Sequence, residues 1–541
     1  MSGDEPAGVV FPASADGRRS TSALGRAVVA EALARVDPAG AQGAEHEANW
    51  RTGYLAHFRR LIEAGLASRQ AAVSVARDGL ESLHQRMRVA DPGGAETGLD
   101  ALVSAPAHGA IATVTVAGTG AAEGSLSVPY RGERLRGDAL LRRLEAWVTA
   151  GIIEPSCAEA VRVVAAHPDW LALPGRTIVA LGAGAEIGPL PVLLSWGAQA
   201  IGVDLPRPFI WERVLDMARR GAGTLLVPVA GRSPGQALAE APGQPPAEAR
   251  GQAPAEAGSR ALAGAGGQAP AEAGGRAPAG AGGALAQCAG LDLTGDVPTI
   301  ADWLASVDGP LVVGNYVYAD GAANVRVASA VDALTVRLQA SRRDVALAFL
   351  ATPTDVFAVP GDAVAQAVGA YLARSVTARL GGGPLHALSG GRLLRRAYPP
   401  GADPGICDSL VPQQGPNYAL AKRMQRWRAT VARDGGATVS LNVAPPTRTR
   451  SVMNNRVLAA AYAGAHRFGV EVFEPATCQT LMAALLVHDL HTGGGPAQAH
   501  PWQDEAHAAA HGGLWRTAYA PRSALGLAAL LGYRASRGGT A

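Results

Sequence analysis

No stretch of the chain approaches the roughly 18 uninterrupted apolar residues that a membrane-spanning helix needs. Charge of one sign is also missing. Lysine and arginine number 48 against 45 acids, so 541 residues carry a net charge of only +3, without the clustered basic face of a nucleic-acid binder. The opening MSGDEPAGVV has acids where a secretory signal has a basic segment followed by an apolar one, so no such signal is expected. Transit peptides avoid acids as well, although organellar targeting stays open. Cysteine is scarce: Cys157, Cys288, Cys407 and Cys478 stand far apart with no metal-ligand spacing. The expectation is reduced thiols in a cytoplasmic protein. His507 and His511 are four apart, with His500 nearby, but no clear third ligand accompanies them, so no metal site is expected.

What is present is a chain that is 48% hydrophobic and 17% charged, able to bury a core and long enough for two to four domains. Residues 1–20 are small and polar without periodicity and read as disordered. Residues 21–92 repeat apolar side chains at three- and four-residue spacing and read as helices. AIATVTVAG (110–118) alternates like a strand, with SLSVPYRG (125–132) as its expected hairpin partner. An amphipathic helix follows over 137–152, and Ser156 is placed to cap the next one. Residues 21–170 thus form a mostly helical region with no assigned chemistry. Residues 234–281 repeat with a period of eight in Ala, Gly, Pro, Gln and Glu. Such a segment lacks the large apolar side chains that would offset the entropy of ordering it, and reads as a flexible insertion inside one domain.

The most informative segment is RTIVALGAGAEIGPLPVLLSWGAQAIGVDLPRP (176–208). A short apolar strand, Thr177–Leu181, leads into Gly182, Gly184, Ile187 and Gly188. A helix then runs to about Trp196, and a second strand ends on Asp204. Glycines allow close approach of the backbone to phosphate, a helix N-terminus offers free N–H groups, and a carboxylate after the second strand accepts from ribose hydroxyls. Glu186 brings a negative charge into the turn. This unit alone fits either a dinucleotide or S-adenosylmethionine, the cofactor of methyltransferases with the same opening.

Downstream, GPNYALAKRMQRWRATVARDG (415–435) reads as one helix carrying Tyr418 and Lys422 on a shared face, where an ammonium would lower the phenol's pKa. The strand and loop ATVSLNVAPPTRT (437–449) follow. With the glycine turn upstream, this order resembles the short-chain dehydrogenase/reductase family over roughly residues 175–490. The resemblance implies a doubly wound, Rossmann-like parallel sheet, NAD or NADP as cofactor, and Tyr418 as acid/base with Lys422 beside it. Thr352 or Thr354, after the strand in RRDVALAFLATPTDVF (342–357), would stand for the family's serine, and Asn324 for its helical asparagine. Asp292 in LDLTGDVPTIADWL (291–304), Asn315 in PLVVGNYVYADG (310–321), and Thr447 or Thr449 would contact the cofactor. Residues 358–417 are an insertion relative to the family, and Glu186 replaces a glycine.

The sequence therefore points to an α/β fold with a doubly wound sheet at 171–495, preceded by a helical region. Residues 496–541 form an extension in which Trp502 and Trp515 are candidates to cover a substrate pocket. The expected activity is NAD(P)-dependent oxidation or reduction of a small carbonyl or alcohol, with Asp204 favouring NAD and homo-oligomerisation left open. A non-catalytic nucleotide-binding protein and a methyltransferase are the alternatives. One consequence is testable directly. Deleting 234–281 and rejoining the ends with a short linker should leave the melting temperature nearly unchanged; a large drop would show that the repeat packs on the domain.

Overall fold

The computed structural model describes residues 7–91, 93–231, 282–495 and 498–537. The repeat at 234–281 lies outside them. Seven strands form the central sheet: β4 (Ile111–Ala117), β7 (Thr177–Leu181), β8 (Gln199–Val203), β9 (Thr224–Ala230), β10 (Leu311–Asn315), β11 (Val345–Ala351) and β14 (Val439–Val443). Their spatial order is β14-β11-β10-β7-β8-β9-β4. All neighbours are parallel except β4, which lies antiparallel on β9. From the central pair β7–β10 the chain winds outward through β8 and β9 on one side and through β11 and β14 on the other. The order of winding therefore reverses between β7 and β10, where parallel α/β sheets open a crevice at their carboxyl ends.

The strands are near-continuous apolar runs because both faces are covered. Alternate residues enter opposite cores: Val179 and Leu181 join one cluster, Ile178 and Ala180 the other. Helix Gly415–Asp434 packs on the first face and Pro475–His491 on the second. The N-terminal helices α1 (Thr21–Ala34), α2 (Pro38–Glu45), α3 (Trp50–Gly65) and α4 (Arg69–Arg86) are not a free-standing unit. Their apolar faces share a core with Gly415–Asp434, which crosses α4 so closely that a methyl group on Gly79 would meet the Trp427 ring at 2.4 Å.

Several expectations change. Residues 7–20 are ordered: Val9, Val10 and Phe11 are buried, and β1 (Gly8–Val10) pairs with β2 (Arg88–Ala90), which pairs in turn with β3 (Glu96–Gly98). Three consecutive apolar residues in a polar surround were enough to anchor the segment. The strand over 110–118 does not pair with 125–132. β4 instead matches β9 over seven residues, from Ile111↔Ala230 to Ala117↔Thr224, and covers what would be an open edge. The 125–132 segment supplies β5 (Val128–Tyr130), which turns back at once into β6 (Glu133–Leu135). Arg131 and Gly132 both have positive φ there, as a two-residue hairpin turn requires. Ser156 does not cap its helix. Glu154 holds the N-cap position with Pro155 first in the helix, and the Ser156 hydroxyl accepts from the Ala508 N–H at 2.9 Å.

The insertion 358–417 folds onto the main body, its buried Val359, Ala363, Val364, Tyr398 and Cys407 joining the core of helix Gly415–Asp434. β12 (Val356–Val359) pairs antiparallel with β13 (Gly405–Asp408), and helices Gly361–Leu372 and Val376–Leu388 lie between them in sequence. In the C-terminal extension the 506–515 segment docks on the sheet, with the Ala510 N–H donating to the Val443 carbonyl at 3.0 Å. Trp515 is wholly buried, stacked on His511 and tilted against Phe357, so it packs a core and lines no pocket. His511 donates to Glu154, which also holds Arg516, while His500 caps helix Pro501–Ala506. Cys157, Cys407 and Cys478 are buried free thiols, and no helix among the described residues is long and apolar enough to cross a membrane.

Helix Gly415–Asp434 buries charge as well as apolar surface. Arg423 and Arg426 both bond the buried Asp355 carboxylate, at 2.7 and 2.6 Å, and Arg426 also meets Glu505. Burial alone would favour the neutral acid, but the two guanidinium groups hold the Asp355 carboxyl below its usual range. Removing one member of such a group leaves unpaired charge in the core. Asp355→Ala should therefore cost about 3–5 kcal/mol in denaturant unfolding. A loss under about 1 kcal/mol, the range of exposed pairs, would show that solvent reaches the arginines.

Candidate active site

The carboxyl ends of β7, β8, β10, β11 and β14 lie along one edge of the sheet, and most of the sequence-predicted residues gather there. β7 runs into Gly182, whose φ of +86° suits glycine and whose missing side chain admits the Tyr316–Val317 backbone. The turn is partly satisfied from within. The Gly182 and Ala183 N–H groups donate to Val203, and Gly184 N–H donates to the Asp204 carboxylate at 2.8 Å. The other Asp204 oxygen accepts from Leu205 N–H at 2.8 Å. Arg213 lies against the turn, donating to the Gly184 carbonyl at 2.7 Å. Burial pushes the Asp204 carboxyl up, against these bonds and the nearby Arg213 and Arg207.

Glu186 does not point its charge into the turn. Its carboxylate accepts from the Arg450 N–H at 2.9 Å, at the start of helix Arg450–Asn454, and its carbonyl accepts from Gln479. Helix Leu190–Ser195, after Gly188, is only six residues long and begins at Pro189, so it contributes little dipole.

On the other side of the edge, helix Gly415–Asp434 presents Tyr418, Lys422 and Gln425 to the ends of β10 and β11. The Tyr418 hydroxyl donates to Thr352 Oγ1 at 3.2 Å, immediately after β11. Tyr318 lies edge-on to the Tyr418 ring at 6.1 Å. Lys422 Nζ reaches the Leu350 carbonyl at 3.4 Å and Gln425 Oε1 at 3.0 Å, and the Gln425 amide continues to Asn315 Oδ1 at 3.1 Å. Thr352 therefore meets the phenol, while Thr354 is buried beyond it. Asn324 stays apart: its Oδ1 accepts from Ala319 N–H, a loop contact within its own segment. Gln425, three residues after Lys422, is the amide that reaches the lysine instead, and helical spacing alone would have pointed to it.

The other predicted residues are placed as follows. Asp292 stands on the exposed loop that follows Leu291, whose N–H donates to the Asp204 carbonyl, and its Oδ1 accepts from Thr294. The Thr447 hydroxyl donates to the Pro445 carbonyl, and Thr449 meets Ser451 at 3.1 Å. Ile187 and Gly188 complete the turn beside Tyr316.

Electrostatics differ from the sequence expectation in one respect. Lys422 does not lower the phenol's pKa. Burial dominates and pushes Tyr418 up to about 12, with the Thr352 hydrogen bond opposing it. Burial likewise brings Lys422 down to about 8 from an ordinary 10.5. At neutral pH the site therefore holds a protonated phenol beside an amine much nearer neutrality than a solvated lysine.

Composition carries a signal that motif reading passed over. Of 48 lysines and arginines, Lys422 is the one lysine. Arginine serves at every other cationic position. An amine that gives up its proton near pH 8 is something the guanidinium group does not provide.

A nicotinamide dinucleotide fits the donors on this edge. Among the described residues the Glu186 and Ile187 N–H groups make no hydrogen bond, two successive amides open to a diphosphate. Asp204 stands at the second strand's end with one backbone donor on each oxygen, so each keeps acceptor capacity for a hydroxyl. No protein family, curated protein or solved structure matches the chain.

The amine's depressed pKa gives a direct test. Acylation at Lys422, followed by mass spectrometry across a pH series, should rise with a midpoint near 8. A midpoint near 10.5 would mean that the amine is solvated and the site loosely packed.

Proposed function

We propose that the chain is an NAD(P)-dependent oxidoreductase of the short-chain dehydrogenase/reductase type. It is built on a Rossmann-like, doubly wound sheet and acts on a carbonyl or alcohol. The observation that carries this reading is the Tyr418–Thr352 hydrogen bond of 3.2 Å at the carboxyl edge, one helical turn from the chain's sole lysine. A nicotinamide dinucleotide would supply hydride chemistry here. The Glu186 and Ile187 amides and the Gly182–Gly188 turn would hold its diphosphate, and Asp204 its ribose hydroxyls, with NAD favoured because a carboxylate repels a 2′-phosphate.

The substrate oxygen takes the place of Tyr418 as partner of the Thr352 hydroxyl, within reach of both. Tyr418 donates the proton. The phenol is protonated at neutral pH, the form that donates in the reductive direction, and burial makes it a weaker acid than a solvated phenol. Lys422, fixed by the Leu350 carbonyl and by the Gln425–Asn315 relay, stands ready to restore that proton through its own amine. A non-catalytic nucleotide-binding protein is the second reading. It is favoured by the local bonds that already occupy Asn324 and Thr447.

The two readings separate in a single series. NAD, NADP and S-adenosylmethionine are titrated calorimetrically, and NAD(P)H oxidation is then followed with a panel of aldehydes and ketones. Tyr418→Phe should lower turnover about 10²–10⁴-fold while cofactor affinity stays within about twofold. Lys422→Ala should lower turnover as well. Binding without turnover on any carbonyl, unchanged in Tyr418→Phe, supports the non-catalytic reading. Tight S-adenosylmethionine binding with none of NAD or NADP overturns both.

A further inference from the structure

A broad concavity lies away from the sheet edge. A groove of about 930 Å³ opens between the exposed side of α3, the strap around Gly390–Arg395 and the start of helix Pro521–Arg537. A side pocket of about 160 Å³ adjoins it. Arginines dominate the walls: Arg59, Arg392, Arg395 and Arg522 line the groove, and Arg396 joins Arg59 and Arg395 in the side pocket. Asp408 is the one acid lining either space.

The charges do not cancel. Asp408 holds Arg522 at 2.6 Å, and Glu63 holds Arg59 at 2.7 Å. Arg392, Arg395 and Arg396 are exposed and make no side-chain hydrogen bond or ion pair among the described residues. Three unopposed guanidinium groups thus line the groove and its adjoining side pocket, in a chain whose net charge is only +3. The strap that carries them is not loose. Leu394 N–H donates to the Ser523 carbonyl, Arg395 N–H to the Ser523 hydroxyl, and Ala520 N–H to the Arg395 carbonyl.

Guanidinium forks match phosphate oxygens two at a time, and a group of three calls for more than one negative charge. The groove is also within the size range of sites for small organic molecules rather than for a bare ion. We propose that this groove binds a small phosphorylated molecule carrying two or more negative charges. The proposal does not rest on the oxidoreductase reading, since none of these residues belongs to the sheet-edge site.

Inorganic pyrophosphate is the probe, titrated calorimetrically into the full chain. Binding at one site per chain is expected, weakening as NaCl rises. Arg392→Ser with Arg395→Ser should weaken it about tenfold or more, the scale of losing two charge-assisted contacts. Arg142→Ser with Arg343→Ser removes the same charge from exposed positions elsewhere and should change affinity less than about twofold. All four positions are exposed, so both variants should keep the parent melting temperature. Absence of binding at millimolar pyrophosphate overturns the proposal. So does equal weakening in the two double variants, or unchanged affinity in the groove variant, which would put pyrophosphate at the glycine turn instead.

Discussion

Burying arginine is the constraint on which the rest of the molecule turns. Helix Gly415–Asp434 carries Arg423, Arg426 and Arg428 into the core, and the carboxylates that hold them come from three other parts of the chain. Asp355 comes from the β11–β12 connection, Asp332 from helix Ala322–Ser341, and Glu505 from the C-terminal extension. His84 of α4 joins Asp332 at 2.7 Å. Although burial opposes its protonation, the Asp332 hydrogen bond and charge hold His84 above its ordinary pKa. That contribution is therefore present below neutrality and fades as pH rises through the raised value. Unpaired charge in a core is far more costly than a lost methyl contact, so these pairs fix how the helix is rotated. Tyr418, Lys422 and Gln425 follow one another at four- and three-residue spacing and form a single stripe. Fixing the arginines fixes the stripe, and so aims the phenol and the amine at the ends of β10 and β11.

The parts legible in the sequence were those where one local pattern meets one physical demand. Strands covered on both faces must be apolar throughout, so Thr177–Leu181 and Val345–Ala351 stand out. A helix with Tyr418 and Lys422 four apart must show them on one face. What was not legible depends on distant partners. β4 could not announce that its seven residues match β9, more than a hundred residues on. The VVF triplet near the start gives no hint of β2. The sequence reading treated Glu186 as a charge in a turn, whereas its carboxylate is turned to the N–H of Arg450, 264 residues away. The phenol was misjudged for a related reason. A lysine at helical spacing suggests an electrostatic partner, but whether the neighbour's charge or the loss of water dominates depends on how deeply the whole helix is buried.

The same depth gives the site its chemical bias. In water, Tyr418 and Lys422 would titrate within about one pH unit of one another. Burial moves them in opposite directions, because it penalises the phenolate and the ammonium alike, each being the charged form. The phenol keeps its proton and the amine sheds its own more easily, to about 12 and about 8. At neutral pH the pair is therefore a protonated phenol, a weaker acid than one in water, beside an amine that titrates near 8. The nearest negative charge acting on Tyr418 is Asp355, which raises the phenol further while being spent on Arg423 and Arg426.

Glu186 then acquires a mechanical meaning. The segment after β14 crosses the sheet edge, with Pro446 and Thr447 held against Phe473, and continues into helices Arg450–Asn454 and Arg456–Gly464. Helix Arg456–Gly464 packs on Pro521–Arg537 backbone to backbone. A methyl group added to Gly464 would fall 2.0 Å from the Ala528 carbonyl, and one on Gly532 2.0 Å from that of Ala460. That contact makes the far end of the segment rigid. At the near end the tie to the glycine turn is the Glu186 carboxylate on Arg450, an exposed contact made by the backbone N–H and the guanidinium. Two amides of the turn, at Glu186 and Ile187, flank that tie with their N–H groups unpaired. An anion drawn to those amides would meet the Glu186 charge at short range, and the bond to Arg450 is what keeps that charge directed away. The residue that on composition argued against anion binding is thus held in the one arrangement compatible with it, because the segment covering the site supplies the N–H that its carboxylate requires.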